Sequence, residues 1–368
     1  MAVSYHRPTK IIVDLEAIQQ NIANEIKHSQ GKEIFAVVKA NGYGHGAVPV
    51  AKAALASGAA GLCVATIDEA VELREHGLTA PILILGVVDL SGLAIACEYQ
   101  LAVPAATLEW LQEAAAVLQG HAEPLKVHLA VDTGMGRIGF LTAEEVVAAA
   151  AFVDAQEVFC WEGIFTHFST ADQEDAVYWE QQNQRFKTIL SALPQLPPYV
   201  HVSNSATALW HEDLGNMVRY GIALYGLNPS GRELVESYPL QPALSLVSEL
   251  IHVKKLPAGE GIGYGKTYET PQEEWIGTVP IGYADGYIRK MQGFYVLVAG
   301  QRCEIVGRVC MDQLMIRLPQ KFAVGTRVTL VGQDNGEEIT LQDVADHLDT
   351  IHYEVACLFS ERVPREYQ

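Results

Sequence analysis

The feature that most restricts the fold is an alternation of short apolar strands with helical segments over roughly the first 230 residues. The strands are continuous apolar runs, as expected of a parallel sheet that is covered on both faces. Eight strand–helix units predict a (β/α)8 barrel of the TIM type, with a doubly wound open sheet as the alternative. The predicted barrel strands are 34–38, 61–65, 82–85, 101–103, 127–131, 163–166, 199–202 and 218–223.

From about residue 241 the pattern changes to short segments rich in Val, Ile and aromatic residues, separated by Gly and Pro turns. This pattern predicts a mostly-β domain, followed by a helix at 341–348 that Thr340 caps. We place the boundary between residues 226 and 241, where Pro and Gly interrupt any regular pattern. Residues 1–235 are therefore assigned to the barrel and residues 236–368 to the C-terminal β domain.

Lys39 stands where the first barrel strand ends, in the sequence Phe-Ala-Val-Val-Lys-Ala-Asn-Gly-Tyr-Gly-His-Gly. The glycines at 42, 44 and 46 allow the backbone to turn sharply there. A lysine at the end of a buried strand is poorly hydrated, which disfavours its ammonium and leaves an amine that can attack a carbonyl. For the lysine taken alone, a side chain that extends to solvent is the competing interpretation.

Further residues able to bind or react follow the carboxyl ends of other predicted barrel strands, where barrel enzymes carry their chemistry. Any one of them could be an ordinary loop residue, but their occurrence after several strands predicts a common site. These residues are Asp132, Arg137, His167, Asn204, Ser205, Arg219, Gly221 and Ile222.

Composition excludes several classes of function. The formal net charge of −19 argues against a nucleic-acid partner, because phosphate backbones are bound by clustered Lys and Arg. The six cysteines form no Cys-x-x-Cys pair, so we interpret them as reduced and structural, and we expect no metal site. The N-terminal residues lack a signal-peptide core, and no stretch reaches the ~18 apolar residues of a membrane span. These observations predict a cytoplasmic protein that binds neither nucleic acid nor membrane.

The Lys39 motif and several motifs of the second domain resemble those of the alanine racemases. The second-domain motifs are Gly-Ile-Gly-Tyr-Gly-Lys-Thr-Tyr at 261–268, Pro-Ile-Gly-Tyr-Ala-Asp-Gly at 280–286, Gly-Arg-Val-Cys-Met-Asp-Gln at 307–313 and His-Tyr-Glu at 352–354. The resemblance covers nearly the whole chain, with its motifs in the family's order. It implies a pyridoxal 5′-phosphate-dependent isomerase that interconverts L- and D-alanine and supplies D-alanine for peptidoglycan.

The resemblance also implies the catalytic residues. Racemisation needs one acid–base group on each face of the substrate Cα. Lys39, which also binds the cofactor covalently, is implied on one face, and Tyr264 of the other subunit on the opposite face. A phenol has an unperturbed pKa of ~10, so His167 and Arg219 are implied to lower the pKa of Tyr264. Arg219 is further implied to donate to the cofactor's pyridine nitrogen without giving up its own proton, which favours reprotonation over transamination.

The remaining roles are implied in the same way. The implied cofactor-binding residues, besides Lys39 and Arg219, are Tyr43, Asn204, Ser205, Gly221, Ile222 and Tyr353. Arg137 and the partner's Met311 are implied to bind the substrate carboxylate. The implied entrance residues are Asp172, Tyr283, Arg289, Arg308 and Tyr353. Because Tyr264 and Met311 serve another subunit's barrel, the resemblance implies a head-to-tail homodimer with shared active sites.

One position departs from the family pattern. Many alanine racemases have a lysine seven residues before the substrate arginine, modified by carbon dioxide to a carbamate that orients the arginine. Here the position is Ala130, which cannot form a carbamate. Our hypothesis is that a bound small anion such as chloride orients Arg137 instead, because an arginine facing an apolar gap otherwise lacks a partner.

Three other functions remain as alternatives. A racemase of another small amino acid, such as serine, would use the same residues. A pyridoxal-phosphate amino-acid decarboxylase of the same architecture would carry a Cys-centred substrate loop, which we do not find. A non-catalytic pyridoxal-phosphate carrier would lack the second domain. A nicotinamide-dependent dehydrogenase is disfavoured, because no Gly-x-Gly-x-x-Gly motif follows a predicted strand.

Overall fold

The structure is a computed structural model that describes residues 2–212 and 214–368. It divides into two compact units, which we call the barrel unit and the C-terminal unit. The barrel unit contains Glu16–Gly42 and Ala47–Pro242, and the C-terminal unit contains the residues before Glu16, Tyr43–Gly46 and Ala243–Gln368. This division differs from the predicted domains 1–235 and 236–368, because an N-terminal strand and the tip of the Lys39 motif belong to the C-terminal unit.

The barrel unit contains an eight-stranded parallel sheet, which confirms the predicted barrel. With strands numbered in chain order, their order in the sheet is β8-β7-β6-β5-β4-β3-β2-β9. A parallel bridge between Ser203 and Val218 joins the two ends of this order and closes the barrel. The strands are β2 Glu33–Val37, β3 Gly61–Val64, β4 Ile82–Ile84, β5 Ala102–Ala105, β6 Leu125–Ala130, β7 Phe159–Phe165, β8 Tyr199–His201 and β9 Met217–Tyr220.

Helices follow the barrel strands, and two of them start at capping boxes. The side chain of Thr66 accepts from the backbone N–H of Glu69, and the Glu69 carboxylate accepts from the backbone N–H of Thr66. Thr142 and Glu145 make the same two bonds. Such reciprocal bonds define where a helix begins. The helices are Leu15–His28, Ala47–Ala56, Ile67–Glu75, Leu93–Glu98, Leu108–Val117, Ala143–Asp154, Val177–Ala192 and Ser205–Trp210, with 3-10 turns at Leu90–Gly92 and Ile222–Tyr225.

The C-terminal unit is mostly β, as predicted. Its largest sheet has the order β16-β15-β18-β10-β1-β20, with β19 paired to β18. A three-stranded sheet has the order β11-β14-β17, and β12 pairs with β13 in a hairpin. The strands are β1 Lys10–Val13, β10 Leu244–Glu249, β11 His252–Leu256, β12 Gly261–Ile262, β13 Tyr268–Glu269, β14 Glu274–Val279, β15 Tyr295–Val298, β16 Gln301–Glu304, β17 Leu314–Leu318, β18 Arg327–Asp334, β19 Glu337–Ile339 and β20 Arg365–Tyr367.

Short helices complete the C-terminal unit. Thr340 caps the helix Leu341–Leu348, as predicted, whereas the helix His352–Leu358 was not predicted. The 3-10 turns are Tyr264–Lys266, Tyr283–Asp285 and Arg289–Met291. Across the described part of the chain, no helix is both long and apolar enough to cross a membrane.

Candidate active site

Lys39 lies at the start of an unusual turn at the carboxyl end of β2. The backbone of residues 40–43 takes φ angles between 50° and 60°, which is left-handed and costs about 1–2 kcal/mol for each residue other than glycine. Two side chains hold the turn: Asn41 Oδ1 accepts from the N–H of Ala47 at 2.9 Å, and Glu69 Oε1 accepts from the N–H of residue 40 at 2.7 Å. The turn leaves the half-buried Lys39 at the mouth of the barrel, where the sequence predicts it.

Arg219, on β9, is 4% exposed and is surrounded by hydrogen-bond acceptors. Its terminal nitrogens donate to His201 Nδ1 at 2.6 Å and to His167 Nδ1 at 3.3 Å. They also donate to the carbonyls of Thr166, His201 and Val202 at 3.0 to 3.2 Å. These five acceptors, two imidazole nitrogens and three backbone carbonyls, hold the guanidinium in place.

His167 is the point at which several predicted site residues converge. Burial lowers the pKa of His167 well below its usual range, and the charges of Arg219, Arg137 and Lys39 lower it further. His167 is therefore neutral at neutral pH. Because its Nδ1 accepts from a guanidinium, which can only donate, its proton is on Nε2. Arg219 thus contacts one neutral imidazole directly, and the charges of Arg137 and Lys39 reach the same ring.

The Cys63 thiol on β3 supports the same arrangement. Burial raises its pKa to about 12, while Arg219 and Lys39 act in the opposite direction. The two cations must both lie near this thiol for their charges to reach it. Cys63 stays protonated, in agreement with its prediction as a structural cysteine.

A cluster of hydrogen-bond donors follows β8 and β9. Ser205 Oγ accepts from the N–H groups of Gly221 at 2.9 Å and Ala223 at 3.3 Å. Asn204 caps the short helix that begins at Ser205, and Ile222 begins the 3-10 turn after β9. Because Ser205 Oγ accepts both bonds, its hydroxyl proton remains available to an anion.

Arg137 follows β6 in an exposed loop. Its backbone N–H donates to Asp132 Oδ2 at 3.1 Å, but its guanidinium makes no hydrogen bond or ion pair with residues 2–212 or 214–368. Arg137 lines a cleft of about 510 Å³ together with apolar side chains such as Trp110 and Ile138. Ala130 is fully buried at the end of β6. Ala130 does not line this cleft, so the expectation that Arg137 faces the space left by Ala130 stays a prediction.

Tyr264 lies in the C-terminal unit, in the turn between β12 and β13, and is 69% exposed. Gly263 and Gly265 flank it with φ angles of 71° and 75°. A Cβ on Gly263 would lie 3.2 Å from the backbone N of Arg308 and one on Gly265 3.0 Å from its guanidinium, so glycine at both positions gives Arg308 room beside this turn. The turn presents a tyrosine with few neighbours, as the sequence predicts.

Tyr264 and Met311 line one cleft of about 640 Å³ in the C-terminal unit. Met311 is 52% exposed. The N–H of Tyr283 donates to the carbonyl of Cys310 at 3.1 Å, and the N–H of Ala284 donates to that of Met311 at 3.0 Å. The loops that carry Tyr283 and Met311 are thus joined to each other.

A buried ion-pair group holds these two loops in place. Asp285 is fully buried and accepts from the guanidinium of Arg7 at 2.6 and 3.0 Å and from the N–H of Gly282 at 2.9 Å. Arg362 lies 3.6 Å from Asp285 and 2.6 Å from Asp312, the residue after Met311. Sequence reasoning assigned no role to Arg7 or Arg362, because their partners are distant in the chain.

The remaining predicted residues are divided between the two units. In the C-terminal unit, the rings of Tyr43 and Tyr353 are 6.4 Å apart, and Tyr283 and Arg289 are exposed. In the barrel unit, Asp172 is half-buried, and burial raises its pKa. Tyr353 lies in the helix His352–Leu358, and Tyr283 and Arg289 each begin a 3-10 turn. The entrance roles of these three residues and of Asp172 and Arg308 stay predictions.

Comparison with known proteins gives the family. The family models described as "Alanine racemase, N-terminal domain" and "Alanine racemase, C-terminal domain" match residues 13–229 and 243–367. An alanine racemase of Ligilactobacillus salivarius is 56% identical over 372 residues, a match that covers 100% of both chains. The chain belongs to the alanine racemase family.

Solved structures agree with this membership. The crystal structure of alanine racemase from E. faecalis has a TM-score of 0.99 and 62% identity, and the match covers 100% of both chains. A histidine racemase from Leuconostoc mesenteroides subsp. sake has a TM-score of 0.95 and 36% identity, covering 100% of this chain and 99% of that one. The alanine racemase fold therefore also occurs in a protein named for another amino acid.

Three polar residues of this alanine racemase family member were not predicted from the sequence: the buried His128 and His201 and the partly buried Glu162. His201 accepts from Arg219, His128 contacts His201 at 2.8 Å, and Glu162 contacts His128 at 3.2 Å. All three lie within predicted barrel strands or at their edges, whereas the site residues that were predicted in the barrel follow the carboxyl ends of strands. The sequence does contain a signal for them, which is a polar residue inside or beside an otherwise apolar strand. Such a side chain can be buried at low cost only if it has a hydrogen-bond partner, so it predicts a partner on another strand.

Proposed function

We propose that this chain interconverts L- and D-alanine with pyridoxal 5′-phosphate as its cofactor, and so supplies D-alanine for peptidoglycan. The observation that carries the proposal is the cluster of Lys39, Arg137 and Arg219 around a neutral His167 at the mouth of the barrel. Such a cluster suits an anionic substrate and cofactor, and it occurs in a chain that matches alanine racemases over its full length.

The residues of the barrel unit fit the cofactor chemically. Lys39 supplies the amine for covalent attachment, and Arg219 supplies a donor that keeps its proton at any ordinary pH. Ser205, Gly221 and Ile222 supply a hydroxyl and backbone donors at a strand-to-helix turn, a common phosphate site in barrels. Pyridoxal phosphate, when bound, draws electrons from the substrate Cα and so acidifies its proton.

Other residues complete the proposed cofactor site. Tyr43 and Tyr353 are proposed as further cofactor contacts, supported by the proximity of their rings in the C-terminal unit. Asn204 is proposed to hold Ser205 in position, because it caps the helix that Ser205 begins.

Two residues are proposed to move the proton. Lys39 takes or returns it on one face of Cα, and Tyr264 of the partner subunit acts on the opposite face. His167 and Arg219 are proposed to lower the pKa of that tyrosine. The structure supports this role, since Arg219 holds the His167 ring so that its Nε2–H is a donor, and a donor stabilises a phenolate.

The substrate carboxylate is proposed to bind Arg137 and the backbone at Met311 of the partner subunit. The guanidinium of Arg137, which is exposed and pairs with none of the residues 2–212 and 214–368, supports the first contact. Asp172, Tyr283, Arg289, Arg308 and Tyr353 are proposed to form the entrance, which would favour a small substrate side chain.

A bound chloride is proposed to orient Arg137, because Ala130 cannot supply a carbamate. Replacing chloride by a bulky anion such as gluconate at constant ionic strength should lower activity and change the KM for alanine. Equal KM and kcat in both salts, together with no anion beside Arg137 in a high-resolution map, would contradict this.

The first test is the visible absorption spectrum of the purified protein, followed by chiral chromatography after adding L-alanine. We expect a yellow protein that converts L-alanine to an equal mixture of enantiomers. Changing Lys39→Ala should remove both the colour and the activity. A protein that stays colourless and inert with added cofactor would refute the proposed function.

A homodimer with shared sites is proposed because Tyr264 and Met311 are exposed on one cleft of the C-terminal unit. The test is to coexpress Lys39→Ala and Tyr264→Phe chains, each inactive alone. Random pairing gives heterodimers with one intact site, so activity should return to about a quarter of that of the wild type. No recovery in purified heterodimers would show that each site is built from one chain.

A second candidate is a racemase of another amino acid. It is favoured by one observation, the histidine racemase that is 36% identical to this chain. Comparing kcat/KM for alanine, serine and histidine decides between the two. A cytoplasmic location, expected from the sequence, stays a prediction.

A further inference from the structure

A chain of hydrogen bonds runs from Arg219 into the interior of the barrel. Arg219 donates to His201 Nδ1 at 2.6 Å, and His201 Nε2 lies 2.8 Å from His128 Nδ1. His128 Nε2 lies 3.2 Å from Glu162 Oε2, and the other oxygen of Glu162 lies 3.3 Å from Lys126 Nζ. These residues come from four strands, β9, β8, β6 and β7, so the chain crosses half of the barrel.

The chemistry of Arg219 determines where each proton of this chain resides. A guanidinium can only donate, so His201 Nδ1 must be bare and its proton must be on Nε2. That proton is donated to His128 Nδ1, which must be bare as well. The proton of His128 is then on Nε2 and is donated to the carboxylate of Glu162. Only this one arrangement of protons satisfies every bond between neutral imidazoles.

Both imidazoles are neutral for physical reasons. Burial lowers the pKa of His201 well below its usual range, and Arg219 and His128 act in the same direction. Burial also lowers the pKa of His128, although Glu162 opposes the shift. Burial raises the pKa of Glu162, but its bonds with His128 and Lys126 outweigh burial and lower the pKa overall. Glu162 is therefore the anion at the far end of a neutral bridge.

The packing is adapted to this bridge. Gly163 follows Glu162 on β7, and a Cβ built on it would lie 2.3 Å from His128 Nδ1. The register of β6 against β7 also shifts at His128. The ring of His201 stacks on that of Phe165 at a centroid distance of 5.0 Å, and the guanidinium carbon of Arg219 lies 5.6 Å from the centroid of the Phe165 ring. Glycine and stacked rings thus fix both imidazoles in the geometry that the bonds require.

We propose that His128 and Glu162 are positioning residues for Arg219: they hold His201 in the one tautomer that can accept from the guanidinium. Without an acceptor at Glu162, His128 would have a buried unpaired N–H or would reverse its proton. A reversed proton would place two donors against each other, first at His201 and then at Arg219. This inference rests on the proposed function in one respect only, which is that Arg219 donates a hydrogen bond to the cofactor.

The tautomers can be measured without reference to activity. In the full-length protein labelled with 15N-histidine, the NMR chemical shifts of the ring nitrogens distinguish a nitrogen that carries a proton from one that does not. We expect both His128 and His201 to show a bare Nδ1 and a protonated Nε2 at pH 7.5, with and without added pyridoxal phosphate. Resonances are assigned from the His128→Gln and His201→Gln variants. A protonated Nδ1 on either residue would overturn the proposal.

Variants of the far end of the chain then test its effect on the loaded enzyme. Glu162→Leu removes the acceptor and should lower kcat about tenfold, as loss of an outer partner of a functional histidine does, with KM within about twofold and a shifted cofactor absorption band. Glu162→Gln keeps an oxygen acceptor and should restore most of the activity. Lys126→Met, which leaves the oxygen that accepts from His128, is the matched control and should equal the wild type.

Two outcomes would overturn the proposal. One is a folded Glu162→Leu protein in which kcat, the cofactor absorption band and the 15N chemical shifts of His201 are unchanged. The other is a Glu162→Gln protein whose kcat is as low as that of Glu162→Leu. Thermal unfolding of each variant separates these results from a failure to fold, and the wild-type tautomers test the inference even if a variant does not fold. A wild-type protein that is inert on alanine would instead refute the proposed function.

Discussion

Acidification should destabilise this protein before its carboxylates begin to titrate, because its barrel contains buried neutral histidines. Burial lowers the pKa values of His167 and His201 well below the usual range, and Arg219 lowers both further. Burial also lowers the pKa of His128. In the unfolded chain each of these side chains takes up a proton as the pH falls through ~6.5. The folded state then loses free energy relative to the unfolded state.

The magnitude follows from linkage. A histidine that is neutral in the fold contributes its full stabilisation above pH ~6.5, and this is lost as the pH falls towards the folded pKa. At pH 5.5, each such histidine costs about 1.4 kcal/mol. His167 and His201 together therefore account for about 3 kcal/mol, and His128 adds to this value. Outside this cluster, burial lowers the pKa of His211, and it lowers that of His352 to about 4, so both act in the same direction.

The assay is urea unfolding of the cofactor-free protein at pH 7.5 and pH 5.5, at one protein concentration and one ionic strength. We expect the free energy of unfolding to fall by at least about 3 kcal/mol. His201→Gln should reduce this fall by about 1.4 kcal/mol, and replacement of the exposed His121 by Gln is the control. If the free energy of unfolding fell by less than about 1.4 kcal/mol, the contribution of one histidine, the assignment of these rings as buried and neutral would be refuted.

Two further predictions concern packing and charge. Arg7→Met removes the closer of the two arginines that pair with the buried Asp285 and should lower the free energy of unfolding by about 3 kcal/mol, measured by urea denaturation. The control is Lys10→Met, which breaks an exposed ion pair with Glu366 and should lower the free energy of unfolding by less than about 1 kcal/mol. Equal losses in the two variants would contradict the argument. Gly163→Ala places a methyl group 2.3 Å from an imidazole nitrogen and should cost about 1–3 kcal/mol in the same assay; an unchanged midpoint would show that the strand shifts freely.

The barrel could be predicted from sequence because its strands are buried on both faces. Runs such as 34–38 and 61–65 are apolar throughout, and Gly or Pro marks their ends, so both their position and their parallel arrangement follow from local composition. The helix starts at Thr66 and Thr340 are equally local, because a capping box lies within four residues. The pairing of β1 with β10 and β20 could not be predicted, since those strands lie more than two hundred residues away.

The Lys39 turn shows a different limit. Its glycines indicate a sharp turn, but Ala40, Asn41 and Tyr43 also take left-handed φ angles, which residues other than glycine avoid in isolation. Asn41 Oδ1 accepts from the N–H of Ala47, the first residue of the following helix, so the bond that holds the turn involves a residue outside it. The glycines predict that the chain turns there, whereas the backbone φ angles of Ala40, Asn41 and Tyr43 depend on the surrounding structure.

The site residues that escaped prediction share one physical property. Residues at strand ends are predictable because barrel geometry brings those ends together whatever the sequence. His128, His201 and Glu162 instead lie inside the barrel, where each would be unfavourable alone, and their meaning depends on a partner on another strand. Once Arg219 is placed on β9, its inability to accept a hydrogen bond determines the proton on His201, then that on His128, and finally requires an acceptor at Glu162. A buried arginine that donates to an imidazole therefore predicts a chain in which each ring accepts one proton and donates another, until the chain reaches a group that accepts without donating in turn.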